Sequence, residues 1–273
     1  MLVSKLRSLH QGGFLFLTLD DAPTRNALGP ELVQDLQASL DAAAADAGVR
    51  AVVLRGARGF FCAGGSMGDF QKTLQSAATP GELDPIAAHN RRFGDFMLAL
   101  ARFPKVLVAM VEGAAMGGGF GLACAADIVL AHRDAKFALS ETTLGLVPAQ
   151  IAPFVVARIG QARARRLALT GERIDGTEAL RIGLADFVAE DAIALEARLV
   201  AILQGIARCA PGANAATKAL LQECAEADLV PILDRAAGAF ARQMRSEGAE
   251  GVAAFREKRD AIWVEKIVSL PES

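Results

Sequence analysis

The 273-residue chain contains no tyrosine, one tryptophan and three histidines. With only His10, His89 and His132 available, chemistry built on several imidazoles is nearly excluded. The four cysteines, Cys62, Cys124, Cys209 and Cys224, form no C-x-x-C pair and no metal-like spacing. Neither a disulfide framework nor a bound metal is expected, and the thiols read as small buried apolar side chains in a reducing compartment. Neither charge is in excess: 29 Lys+Arg face 31 Asp+Glu, for a net charge of -2. Nucleic-acid binders carry a strong basic surplus, so no nucleic-acid partner is expected. The longest uncharged apolar run, Gly113 to Ala126, is glycine-rich and falls short of the roughly 20 residues of a spanning helix. The start, MLVSKLRSLHQGG, lacks an apolar signal core. A cytoplasmic protein with no membrane partner is the expectation.

What the chain has in quantity is apolar side chains and glycine. Hydrophobic residues make up 52%, and there are 26 glycines. That content excludes an acidic disordered chain. A chain of this length can bury roughly 75% of its unfolded surface, enough for one large core without staples.

Strand and helix signals alternate through the first half. Phe14–Leu19 is an apolar run stopped by Asp20-Asp21. Pro30 opens a helical pattern with Leu32, Val33, Leu36 and Leu40. Val49–Leu54 reads as a buried strand, followed by a glycine-rich loop over Ala57–Gly68. The polar stretch Phe70–Pro85 reads as a surface loop and Ile86–Arg102 as a helix. Val106–Val111 is a second buried strand, followed by a second glycine-rich stretch, Gly113–Gly121, and a short strand at Asp127–Ala131. Beyond Pro148 the pattern is helical, so the fold class is α/β with a C-terminal helical region.

Three local motifs point elsewhere and fail on context. Gly64-Gly65-Ser66-Met67-Gly68 matches the G-x-S-x-G elbow of serine hydrolases, but that mechanism needs a histidine late in the chain and the last is His132. Gly119-Phe120-Gly121-Leu122-Ala123-Cys124 lacks the final glycine of a dinucleotide fingerprint, and no acid follows at the required distance. The run Arg163, Arg165, Arg166 reads first as a solvated helix face and second as an anion contact.

The informative constellation is a pair of glycine turns, Phe60-Phe61-Cys62-Ala63-Gly64-Gly65 and Gly113-Ala114-Ala115-Met116-Gly117-Gly118-Gly119, each after a buried strand. Such turns can aim backbone N–H groups at one point, with a helix N-terminus adding its positive end. Two converging donors make an oxyanion hole, worth on the order of 3 kcal/mol per donor in a dry site. Glycine count alone favours the plainer reading, two tight and closely packed structural turns.

The flanking residues decide between these readings. Arg25-Asn26-Ala27-Leu28, Phe61-Cys62-Ala63-Gly64-Gly65, Gly113 to Gly119, Cys124-Ala125-Ala126-Asp127, and Phe137-Ala138-Leu139-Ser140-Glu141 with Leu144-Gly145-Leu146-Val147-Pro148 stand in one order. With Ala254-Phe255-Arg256-Glu257-Lys258-Arg259 near the end, this pattern resembles the crotonase (enoyl-CoA hydratase/isomerase) superfamily along nearly the whole chain.

The resemblance implies a spiral of ββα units holding an acyl-CoA site over residues 1–200, and a C-terminal helical oligomerisation region over 201–273. It implies an acyl-CoA thioester as substrate, no cofactor besides the coenzyme A carried by the substrate, and a homotrimer or a hexamer built as a dimer of trimers. By motif position, Gly65 and Gly118 would bind the thioester oxygen and Glu141 would move protons. Arg25, Ala27, Ala63, Gly65, Ser66, Met67, Gly68 and Lys258 would hold the coenzyme A portion, Lys258 as a phosphate contact.

Two departures stand out. Ser66 occupies a place where many members carry Asp. Gly121 stands where hydratases often carry a first glutamate, leaving Glu141 as the single acid. Because paired carboxylates divide water activation from proton donation, hydration, single-glutamate isomerisation and a non-catalytic acyl-CoA-binding scaffold all stay open. The segment around Gly145–Pro153, with Gln150 placed to read a polar or branched acyl end, is similar to bacterial methylglutaconyl- and isohexenylglutaconyl-CoA hydratases of leucine and terpene catabolism.

Overall fold

A computed structural model describes residues 5–66, 68–69, 84–224 and 247–265. The strands are β1 (Leu6–Gln11), β2 (Phe14–Leu19), β3 (Ala51–Gly56), β4 (Phe60–Cys62), β5 (Val106–Val111), β6 (Ala114–Met116), β7 (Ile128–His132), β8 (Lys136–Ala138), β9 (Arg173–Asp175) and β10 (Phe187–Ala189). The helices are α1 (Pro30–Ala45), α2 (Pro85–Ala101), α3 (Gly118–Ala125), α4 (Ala152–Ile159), α5 (Gln161–Thr170), α6 (Gly176–Ile182), α7 (Ala192–Arg208), α8 (Pro211–Glu223) and α9 (Glu247–Glu257). The expected surface loop after Phe70 lies almost wholly outside the described residues.

Two sheets form. One has the order β1-β2-β3-β5-β7-β10, the other β4-β6-β8-β9. In the large sheet only β1 runs antiparallel to its neighbour. The chain visits the sheets in alternation. β3, β5 and β7 each enter the large sheet, and β4, β6 and β8 follow in the small one, where they pair parallel. Each two-strand visit steps one place along both sheets, so the chain advances as a spiral of ββα units.

A sheet buried on both faces accounts for the unbroken apolar runs seen in the sequence. Leu15, Leu17, Val52, Leu54, Leu107 and Ala109 point into the larger core. Their alternating neighbours Phe14, Phe16, Ala51, Val53, Val108 and Met110 point the other way, toward Leu195, Leu199, Leu203 and Ile206 of α7. α7 runs across residue 200 and covers the outer face of the sheet. A further strap closes the same side. The buried Arg50 guanidinium donates to the Cys209 carbonyl at 2.7 Å and to that of Trp263, while the Glu265 carboxylate accepts from the Gly13 N–H at 3.1 Å.

The cysteine expectation holds for half of the residues. Cys62 and Cys124 are buried, whereas Cys209 and Cys224 are exposed because they end helices α7 and α8 at the surface. Burial pushes the Cys62 thiol up to about 12, so it stays protonated and acts as an apolar side chain. Among the described residues, no helix is long and apolar enough to cross a membrane and no group of three or more His, Cys, Asp or Glu is placed to hold a metal.

Leu199 is fully buried between α7 and the sheet. Leu199→Ala is expected to lower the unfolding free energy by about 2–5 kcal/mol in urea titration; a loss near zero would show that α7 is not part of the core.

Candidate active site

The small sheet builds the site. β4 and β6 are parallel neighbours, with Cys62 opposite Ala115, so the turns that follow them emerge side by side. They meet at glycines. A Cβ on Gly64 would lie 2.7 Å from the Met116 carbonyl oxygen and 3.5 Å from the Gly118 nitrogen. A Cβ on Gly119 would lie 2.5 Å from the Cys62 carbonyl oxygen. Gly117 caps α3 with φ 47 and ψ -113, a conformation closed to other residue types.

This packing leaves two donors free. The Gly118 N–H belongs to the first turn of α3, where no intrahelical acceptor exists. Neither it nor the Gly65 N–H has a hydrogen-bond partner among the described residues. The positive end of α3 lies at Gly118 itself. α3 is almost entirely buried, which fixes the direction of its first N–H groups.

Glu141 completes the site. β8 lies next to β6, and the chain leaving it turns at Ser140 into a short 3₁₀ turn, Glu141–Leu144. A Cβ on Gly117 would lie 2.9 Å from Glu141 Oε1, so the carboxyl group lies against the very turn that presents Gly118. Its other oxygen, Oε2, is buried and has no hydrogen-bond partner among the described residues. Burial raises the carboxyl group above the usual carboxylate range, partly offset by its own backbone N–H. A buried carboxylate oxygen with no partner is costly unless a ligand or transferred proton uses it.

The position read as a lost glutamate is closed. A Cβ on Gly121 would lie 2.4 Å from Ile151 Cγ2 and 3.5 Å from Met97 Cε. The Ile151 side chain fills that room, which sequence inspection did not reveal because the two residues lie far apart in the chain. The remaining wall comes from α2 and the first loop. A Cβ on Gly118 would meet Leu28 Cδ1 at 3.0 Å and Phe93 Cζ at 3.6 Å. One turn along α2, the Gln150 side chain packs on Gly94 and its Nε2 donates to Asn90 Oδ1 at 2.9 Å. Phe93 and Asn90 carry no motif signal and emerge only from the fold.

The other expected residues distribute unevenly. Ala63 donates to the Arg25 carbonyl at 3.0 Å, and Leu28 donates to the Gly64 carbonyl at 2.7 Å, so the Arg25–Leu28 loop lies along the first glycine turn. Arg25 is exposed, with its guanidinium 5.4 Å from the Phe60 ring centre. Ala27 and Ser66 are half-buried and Gly68 is exposed beside them. Met67 lies outside the described residues. Lys258 sits exposed just past α9 at φ 55, and no described contact joins it to the glycine turns. The Arg163, Arg165, Arg166 run is a solvated face of α5, as its first reading held, with Arg166 paired to Glu178 at 2.7 Å.

Two glycine turns pressed together, a helix N-terminus at Gly118 and a half-buried carboxyl group against Gly117 are carried on a crotonase fold. The comparisons agree. The enoyl-CoA hydratase/isomerase family model matches residues 10–266, and the chain belongs to that family. AtuE of Pseudomonas aeruginosa is similar at 48% identity, with a TM-score of 0.92, over 96% of this chain and 100% of that one. An enoyl-CoA hydratase/isomerase from Marinobacter aquaeolei shares 45% identity and a TM-score of 0.92, over 96% and 99%. The 2,3-dehydroadipyl-CoA hydratase of Escherichia coli shares 32% identity over 94% of this chain and 97% of its own length.

The raised Glu141 carboxyl group costs stability when ionised. That cost is absent well below the unfolded-state value and is complete above the folded-state one. Glu141→Gln is therefore expected to unfold at a higher temperature than the parent at pH 8, with the gap closing as pH falls toward 4. Calorimetry across that range checks this; a gap independent of pH would place Glu141 in an ordinary solvated setting.

Proposed function

We propose that the protein is an enoyl-CoA hydratase in which Glu141 alone carries out both proton transfers. The observation that carries this reading is the Glu141 carboxyl group, with Oε2 buried and unpartnered among the described residues and Oε1 against Gly117, the residue before the Gly118 N–H. The thioester oxygen accepts from those two N–H groups, which lowers the cost of the enolate formed when water attacks the β-carbon. Glu141, ionised, removes one proton from the attacking water as the new carbon–oxygen bond forms. The same carboxyl group then returns that proton to the α-carbon, and the enolate collapses to the saturated thioester. Water is thereby added across the double bond with no charge left over. The raised affinity of Glu141 for a proton suits a group that must accept one and return it near neutral pH.

A second reading, Δ3,Δ2-enoyl-CoA isomerisation, is favoured by Gly121: one proton shuttle and no water suffice for it. The same Glu141 would carry the proton between carbons. The non-catalytic scaffold is the weaker reading, since an acyl-CoA carrier has no use for a buried carboxyl group at this position.

We assign the acyl group to the polar or carboxylated enoyl class, including glutaconyl-type chains. Support comes from the Gln150–Asn90 amide pair on the wall beside Phe93, and from the E. coli relative, whose name gives a carboxylated substrate. The coenzyme A portion would lie along Arg25, Ala27, Ala63, Gly65, Ser66, Met67 and Gly68. We further propose assembly as a trimer or a hexamer. The support is exposed apolar surface at Leu144, Val147 and Leu169, which are 58%, 73% and 70% accessible in the single chain. Sedimentation velocity tests it: a monomeric mass would refute it.

A panel of linear, branched and carboxylated enoyl-CoA thioesters, run in heavy-oxygen water, tests the reaction. Hydration places label in the product; label-free product from a shifted double bond would establish isomerisation instead. Glu141→Gln should lower kcat by about 10²-fold or more; near-parental turnover would remove Glu141 from the mechanism.

A further inference from the structure

Asn26 lies in none of the roles assigned above, yet it is among the most constrained residues of the molecule. It is 2% exposed, one of few buried polar side chains. Its backbone sits at φ 61, in the left-handed region that asparagine tolerates better than most residues. The side-chain amide works in both directions. Oδ1 accepts from the Asp21 N–H at 2.8 Å. Nδ2 donates to the Phe60 carbonyl at 2.8 Å and reaches the Ala57 and Phe61 carbonyls at 3.4 Å each. An N–H on one side and carbonyls on the other leave one orientation of the amide possible.

What Asn26 joins is as telling as the bonds themselves. On one side is the loop of residues 21–28; on the other is the link between β3 and β4 and β4 itself. Directly beside Asn26, the Arg25 carbonyl accepts from Ala63, and two residues further Leu28 donates to the Gly64 carbonyl and forms a bridge with Gly65. Leu28 Cδ1 in turn lies where a Cβ on Gly118 would be only 3.0 Å away. The amide therefore sits at the root of both supports of the Gly64–Gly65 turn.

We propose that Asn26 is a positioning residue for the thioester-oxygen site: its side-chain amide sets the loop that aims the Gly65 N–H at the point also served by Gly118. The proposal rests on the oxyanion reading of Gly65 and Gly118. Asp at this position keeps the acceptor and tolerates the left-handed backbone, but puts a carboxylate oxygen against the Phe60 carbonyl. Gly keeps the backbone freedom and loses the whole amide. Both variants therefore separate aim from backbone conformation.

The test reads the aim of the donors directly. A dimethylaminocinnamoyl-CoA thioester absorbs further to the red when its carbonyl is polarised, so the shift on binding reports the two N–H groups. Asn26→Asp and Asn26→Gly, held well below their unfolding midpoints, should show a smaller red shift and a kcat lower by about 10²-fold, the scale of losing one oxyanion donor. Glu141→Gln should keep the full red shift while losing turnover, because the donors are intact. Asn26 variants with a full red shift, whatever their kcat, would overturn the proposal, as would failure of every Asn26 variant to fold, which marks a purely structural latch. Absence of any shift in the parent protein would instead refute the oxyanion reading on which the proposal rests.

Discussion

Everything at the site depends on the approach of two backbones. The turn after β4 and the turn after β6 lie so close that Gly64 faces the Met116 carbonyl and the Gly118 nitrogen with no room for a methyl group. A side chain at Gly64, Gly117 or Gly119 would wedge the turns apart or collide with Glu141 or Cys62. On the proposed function, close approach is the source of catalytic potential, because N–H groups on separate turns can serve one oxygen only when their peptides nearly touch. The parallel pairing of β4 with β6 supplies the frame, and the burial of α3 keeps it from relaxing. On that proposal the donors are held in place before any substrate arrives, which is what makes fixed dipoles effective.

Glu141 shows the other side of such preorganisation. A carboxyl group with one oxygen buried and unpartnered is a poor element for stability. The surrounding fold carries that penalty, spread over a core that seals both faces of a six-stranded sheet. Concentrated strain of this kind is expected where a group must be ready to exchange a proton rather than rest in a salt bridge.

Much of this was legible in the sequence. Unbroken apolar runs at Phe14–Leu19 and Val106–Val111 announced strands buried on both faces, and the structure places both strands at those residues. Pro30 marked the start of α1. The glycine turns were visible too, and their order along the chain carried the family. The small sheet was harder to see: β4, β6, β8 and β9 are three residues each, too short for any periodicity to develop, and β4 and β6 sit inside glycine-rich stretches. Non-local packing was not legible at all. Nothing in the neighbourhood of Gly121 reveals Ile151, and nothing in α2 distinguishes Phe93 as a wall of the site. Asn26 was seen only as one letter of a motif; three of its four side-chain hydrogen bonds depend on carbonyls more than thirty residues away.

The plug formed by Ile151 bears on how such a site changes over generations. With the isoleucine in place, a glutamate arriving at position 121 has nowhere to go; with glycine in place, a smaller residue at 151 leaves a void. Each single step is therefore disfavoured, and only the paired exchange leads from one acid to two. The number of carboxyl groups at the site is thus tied to how α3 packs against the segment around Ile151, and a change at either position alone works against the packing of the core.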